Sequence, residues 1–264
     1  MPPQGVPEAH EMIPAQRRAR IWELLQERRA VRVSSLSEDL GVSEMTIRRD
    51  LERLEAEGVL VRTHGGALLR RRLVEEAHYL DNVSANAEQK RRIARRAASM
   101  IQPGETVFLS AGTTAAQVLR HVDPGLEGRV ITHNSGALAE AHNLELEVIL
   151  VGGRYRSRSN AVDGPLGIEQ LGQFHAGRML LGVDGFDLEE GLTTPTVGIA
   201  SMDRAMIDRT RGEVVVLVDH SKIGVVADVV ICGLDRVDAV IVDDGVDEAV
   251  RDELTSLGVQ CIVV

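Results

Sequence analysis

The chain has 264 residues, 44% hydrophobic and 27% charged, which suits a globular protein of one large domain or of a small domain and a medium one. Aromatic residues make up only 2%, so the cores must be built from Val, Leu, Ile and Ala, and the stacking platforms of single-strand or RNA binders are disfavoured. The net charge of −10 divides unevenly: residues 13–72 carry thirteen Arg against nine acidic residues, +4, whereas residues 73–264 carry 17 basic against 29 acidic residues, −12.

Residues 1–12 are Pro-rich without an apolar core, so they read as a frayed tail rather than a signal peptide, and no later run has the length of a membrane span. Ile13 to Arg29 reads as a helix with Ile21, Leu24 and Leu25 on one side and the lone Trp22 as a core anchor. A short strand, Val31 to Val33, precedes a short helix, Ser35 to Leu40. Gly41 to Ser43 then makes a tight connection into VSEMTIRRDLERLEAEG. In that stretch Ser43 is an N-cap, Glu44 and Asp50 lie toward the positive end of the helix dipole, and Gly58 is a stop. Ile47, Leu51 and Leu54 recur at the spacing of one buried face, leaving Thr46, Arg49 and Arg53 on another with Arg48 beside them. Val59 to Thr63 reads as a strand entering His64, Gly65 and Gly66, a small β wing. Helix, turn, helix and wing together point to duplex DNA. Thr46, Arg48 and Arg49 are expected in the major groove, with Arg62, His64, Gly65 and Gly66 at backbone or minor groove.

VSEMTIRRDLERLEAEGVLVRTHGGA resembles the N-terminal winged helix-turn-helix of the DeoR family of bacterial repressors, TIRRDL and RTHGGA being specific to it. The first domain is expected over residues 13–68. Residues 69–88, led by Arg70, Arg71 and Arg72, are charged and irregular and read as a linker, its arginines lying on phosphates or simply solvated.

From residue 89 onward, helices alternate with short continuous Val/Ile-rich runs: 107–109, 130–132, 148–151, 179–183, 214–218, 239–242 and 259–263. That pattern predicts an α/β domain, residues 89–264, with a mostly parallel sheet covered on both faces. Ligands of such sheets bind beyond the carboxyl ends of strands. Five ends carry polar residues: SAGTT with Ser110, Gly112, Thr113 and Thr114; THNSG with Asn134 and Ser135; GGR with Gly152 and Gly153; DGFD with Asp184; and DHSK with Asp219 and Lys222. One such loop is ordinary turn chemistry, but five on one edge predict a pocket for a small, polar, anionic molecule. Thr113, Thr114 and Lys222 would hold a phosphate, with Asp184, Asp219 and Asn134 on sugar hydroxyls.

AGTT, THNS, VGGR, GVDG and VDHSKIG are similar to the C-terminal sensor domain of DeoR-family repressors, a domain of sugar phosphate isomerase-like fold. The resemblance implies a phosphorylated sugar or related metabolite that changes DNA affinity. Ser110 stands where family members often carry Asp, which places one sugar-hydroxyl contact in question. The resemblance also raises a rival, an isomerase or deaminase using Asp184 and Asp187, although no second motif supplies a general base. A third reading is an architectural DNA binder whose rear domain only oligomerises. The His residues show no metal spacing, Cys232 and Cys261 read as buried free thiols, and neither metal nor cofactor is expected. The expected protein is a cytoplasmic, non-enzymatic repressor of carbohydrate metabolism genes. Its partners would be double-stranded operator DNA, a phosphorylated sugar and further copies of itself.

Overall fold

The structure, a computed structural model, describes residues 12–63 and 65–264. Most of the tail read for residues 1–12, and His64, therefore lie outside the described residues. The chain divides into two compact units, one comprising residues up to Arg71 with Asp247–Glu253 and the other the remainder.

The first unit holds α1 (Pro14–Arg28), β1 (Ala30–Arg32), α2 (Val33–Leu40), α3 (Glu44–Ala56), β2 (Leu60–Arg62) and β3 (Gly66–Leu69). β3 lies between β1 and β2, antiparallel to both. Ile21, Leu24 and Leu25 of α1 meet Leu36 and Leu40 of α2 and Ile47, Leu51 and Leu54 of α3 in one apolar core. Burying each such side chain contributes roughly 1.5–3 kcal/mol. Trp22, expected as a core anchor, is only half-buried, because the inward positions of α1 are taken by Ile21, Leu24 and Leu25.

The second unit continues through β4 (Arg71–Leu73), α4 (Tyr79–Ser84), α5 (Ala87–Ala98), β5 (Thr106–Leu109), α6 (Thr113–Leu119), β6 (Arg129–Thr132) and β7 (Glu147–Leu150). Then follow β8 (Arg154–Arg156), β9 (Ala161–Asp163), α7 (Pro165–Leu171), β10 (Ala176–Gly182), β11 (Gly185–Asp187), β12 (Gly191–Thr194), α8 (Val197–Arg209) and β13 (Thr210–Val218). β14 (Val225–Ala227), β15 (Val229–Cys232), β16 (Ala239–Val242), α9 (Glu248–Ser256), of which residues up to Glu253 belong to the first unit, and β17 (Gln260–Val263) complete the chain. Seven strands form one parallel sheet in the order β17-β16-β13-β10-β5-β6-β7. The chain winds outward from β5 to β7, then returns to β10 on the other side of β5 and winds outward again to β17. The pair β5 and β10 is thus the switch point at which the carboxyl ends of two strands diverge into a crevice. A smaller antiparallel sheet, β11-β12-β15, extends beyond the end of β10. No described helix is long and apolar enough to cross a membrane. Cys232 on β15 and Cys261 on β17 are half-buried rather than fully buried.

Candidate functional site

In the first unit the Ser43 hydroxyl accepts from the Thr46 amide at 3.3 Å and lies 3.0 Å from its hydroxyl, so both residues close the α3 N-terminus, a cap typically worth about 1 kcal/mol. Ile47, Asp50, Leu51 and Leu54 face inward. Asp50 does not act at the helix end: it is 5% exposed, and its carboxylate takes the Arg17 guanidinium of α1 at 2.5 Å. The outward side presents Arg49, Arg53 and the half-buried Arg48, which reaches Glu44 at 3.3 Å. Met45, which sequence reasoning passed over, is 61% exposed on the first turn of the same helix. Arg62 lies against α3 instead, 3.0 Å from Glu52 and 3.7 Å from Glu55. The two wing glycines differ. Gly65 is exposed in open space, whereas a Cβ on Gly66 would stand 1.9 Å from the Val31 carbonyl oxygen, so Gly66 serves the close β1–β3 approach.

In the second unit the loop after β5 turns at Gly112, whose φ of +105° favours glycine, and Thr113 and Thr114 open α6. Asn134 supports this turn from below: fully buried, it donates to the carbonyls of Ser110 at 3.0 Å and Gly112 at 2.9 Å and accepts from the Gly136 amide. With both amide hydrogens used, it positions the loop rather than reaching a ligand. Ser110 is fully buried too, its hydroxyl donating to the Ala111 carbonyl and accepting from the Gly182 amide at 2.7 Å, which ties the end of β5 to that of β10.

Gly112, Thr113, Thr114, Asp184, Asp219 and Lys222 line one hollow of about 400 Å³ at the switch point. Asp219 is 2% exposed and caps the 220–222 turn, accepting from the Ser221 amide at 3.0 Å and the Asn86 side chain at 2.8 Å. Asp243 fixes the same turn, accepting from the His220 backbone and ring, each at 2.7 Å. Lys222 is half-buried and, among the described residues, has no carboxylate within ion-pair distance. A second hollow of about 520 Å³ adjoins the first, sharing Asn82, Gly112, Thr113 and Asp184. It adds Glu76, Tyr79, Ser159, Thr194 and Asp203. Burial pushes the Asp184 carboxyl above the usual range, opposed by the Lys222 charge and by the Thr194 hydroxyl, which donates to it at 2.8 Å.

The other expected residues lie elsewhere. Gly152 and Gly153 line neither hollow, since they follow β7, two strands away from β5. Gly153 instead borders a shallow depression with Arg154 and Asp163. Ser135 also lies off both walls, its amide donating to the Asn160 carbonyl. Asp187 is turned into the β11–β12 connection, where it accepts from the amides of Glu189 at 3.0 Å and Glu190 at 3.1 Å, so it does not join Asp184 at the pocket. Four contributors that the sequence reading did not name are Lys90, Asp203, Asn82 and Tyr79. Lys90 of α5 is 3% exposed, lines the smaller hollow and donates to the Asn82 carbonyl; burial lowers its pKa, with Asp219 opposing. Its signal was a lysine on the stripe of Ile93, Ala94, Ala97 and Ala98. Asp203 sits likewise among Ala200, Met202, Met206 and Ile207 of α8. Asn82 and Tyr79 come from α4, within the stretch read as irregular. Among the described residues no group of three or more His, Cys, Asp or Glu is placed to hold a metal ion.

Residues 17–72 match the model of the DeoR-like helix-turn-helix domain, and residues 85–244 match that of the DeoR C terminal sensor domain. The chain is 36% identical over 251 residues to the HTH-type transcriptional regulator GlpR of Haloferax volcanii, covering 95% of this chain and 98% of that protein. It is 33% identical to the glycerol-3-phosphate regulon repressor of Escherichia coli K12, covering 93% and 97%, and 33% identical to a putative aga operon transcriptional repressor of Escherichia coli O157:H7, covering 95% and 94%. Among solved structures it is distantly similar to ribose 5-phosphate isomerase A of Methanocaldococcus jannaschii, with a TM-score of 0.40 and 20% identity over 53% of this chain and 55% of that one. With both of its family domains matched and relatives aligned over nearly their full lengths, the chain belongs to the DeoR family of helix-turn-helix transcriptional regulators.

Proposed function

We propose that the protein is a cytoplasmic repressor of carbohydrate metabolism genes that binds operator DNA through residues 13–68. Its operator affinity is set by a phosphorylated sugar or related metabolite held in the domain of residues 89–264, residues 69–88 serving as the linker. The observation that carries this reading is the hollow at the switch point, which Lys90, Lys222, Thr113 and Thr114 line together. Ammonium and hydroxyl donors around a concave site suit a phosphate monoester. The adjoining hollow, with Asp184, Thr194 and Ser159, suits the carbon chain and its hydroxyls.

On the DNA side, Thr46, Arg48, Arg49 and Arg53 with Met45 form the surface offered to the major groove, and Ser43 and Glu44 lie beside it. Arg62, His64, Gly65 and Gly66 are assigned to the flanking backbone or minor groove. A single helix-turn-helix reads few base pairs, so two or more copies act together. No turnover is expected: the rival reading relied on Asp184 together with Asp187, and Asp187 is turned into the β11–β12 connection.

Thermal denaturation against a panel of phosphorylated sugars, with glycerol 3-phosphate included because of the relative named above, tests the pocket. A ligand at one hundred times its Kd should stabilise the protein by about 2.7 kcal/mol. If no phosphate ester moves the melting temperature, the sensing role is lost. Turnover of any ester would establish an enzyme instead.

A further inference from the structure

His133 is fully buried beneath the larger hollow, and its partners fix its tautomer. Nδ1 stands 3.1 Å from the Val162 carbonyl oxygen, which can only accept, so Nδ1 carries the hydrogen. Nε2 stands 3.0 Å from the Ala111 backbone N–H, which can only donate, so Nε2 accepts. Asp203 Oδ1 approaches the same Nε2 at 3.2 Å. An ionised carboxylate there would set one acceptor against another. The contact becomes favourable when the carboxyl supplies the hydrogen, the Nε2 lone pair then being shared between the Ala111 N–H and the Asp203 O–H.

Asp203 is 1% exposed, lines the larger hollow and has the His133 ring as its side-chain partner among the described residues. Burial pushes its carboxyl above the usual range, opposed in part by His133. Its second oxygen is then a neutral acceptor. No Lys or Arg lines this hollow, and Ile199 and Ile231 supply apolar wall beside it. A neutral acceptor in such a wall suits a hydroxyl, whereas an ammonium group needs an ionised counter-charge.

Resting on the sugar-phosphate reading above, we propose that Asp203, as an un-ionised acid donating to His133, is a specificity residue that accepts a hydroxyl at the end of the ligand remote from its phosphate. Asparagine reproduces this arrangement, its amide donating to Nε2 and its carbonyl oxygen facing the ligand. Alanine removes both.

The test is calorimetric titration of the full-length protein with inorganic phosphate, glucose 6-phosphate, ribose 5-phosphate and fructose 1-phosphate. In the parent at least one ester should bind about tenfold or more tightly than phosphate. Asp203→Asn should keep that advantage to within about twofold, and Asp203→Ala should lose it while binding phosphate as the parent does. Loss in Asp203→Asn as large as in Asp203→Ala would show an ionised carboxylate at work and overturn the proposal. So would an advantage kept by Asp203→Ala. Should Asp203→Ala fail to fold, the Asp203→Asn result decides alone. If neither phosphate nor any ester binds the parent, the pocket reading falls and this proposal with it. If esters bind but the Asp203 pattern fails, only this proposal falls.

Discussion

Asp203 also leaves a mark on stability. Its folded-state pKa lies above the ordinary value of 3.8, so the native protein holds this proton more tightly than the unfolded chain does. The contribution is therefore fully favourable below the ordinary value and is lost as pH rises toward the folded one. Asp203→Asn never ionises and escapes that loss. The unfolding free energy of the variant minus that of the parent should become more positive as pH rises from the ordinary value of 3.8 toward neutrality, with a slope of at most about 1.4 kcal/mol per pH unit. A difference that stays flat over that range would mean the carboxyl is not held above its usual pKa. The same burial shifts Lys90 the opposite way, lowering its pKa by disfavouring the ammonium form. These two residues show where a sequence can be read more closely: each is an ionisable side chain on the otherwise apolar stripe of its helix.

At the level of helices and strands, all seven strands of the parallel sheet are legible as short Val/Ile-rich runs, and α1, α3, α5, α8 and α9 as periodic stretches. The antiparallel additions are not. β11 and β12 each span three or four residues around LEEG, too short for a period to declare itself, and the pairing of β12 with β15 joins distant residues, Leu192 with Cys232 and Thr194 with Val229. The strand-end rule found the loops after β5, β10 and β13 but also proposed Gly152 and Gly153, because strand order, and with it the switch point, cannot be read from a single sequence. For α3 the reading and the structure agree on which face turns inward. Arg49 and Arg53 stand exposed while Ile47 and Leu51 are buried. Arg48→Ala with Arg49→Ala should thus leave the melting temperature nearly unchanged and weaken operator retention in a gel shift at least tenfold. The salt dependence of binding should also fall, by about one unit of slope for each phosphate the variant no longer neutralises. Unaltered retention would remove α3 from the DNA interface.

For the molecule as a whole, the charge is divided as the proposed work is: +4 over residues 13–72 and −12 over residues 73–264. Acidic surface repels phosphate backbones, so the same surplus that confines DNA to the front also works against an anionic metabolite approaching the rear. A sensor with this balance must concentrate positive charge locally. Lys90 and Lys222 are the cations of the hollow, and only Lys222 is free of both ion pairs and hydrogen bonds through its ammonium group among the described residues. Its removal should therefore cost little folding stability. Lys222→Ala should bind operator DNA with the parent's affinity in the absence of metabolite, yet show at least a tenfold weaker response to whichever phosphate ester shifts the parent. Gel shifts of both proteins across a titration of that ester make the comparison. An equal response would place the ester outside this hollow, whereas loss of DNA binding in the ester-free lane would mean that Lys222 supports the fold rather than the ligand.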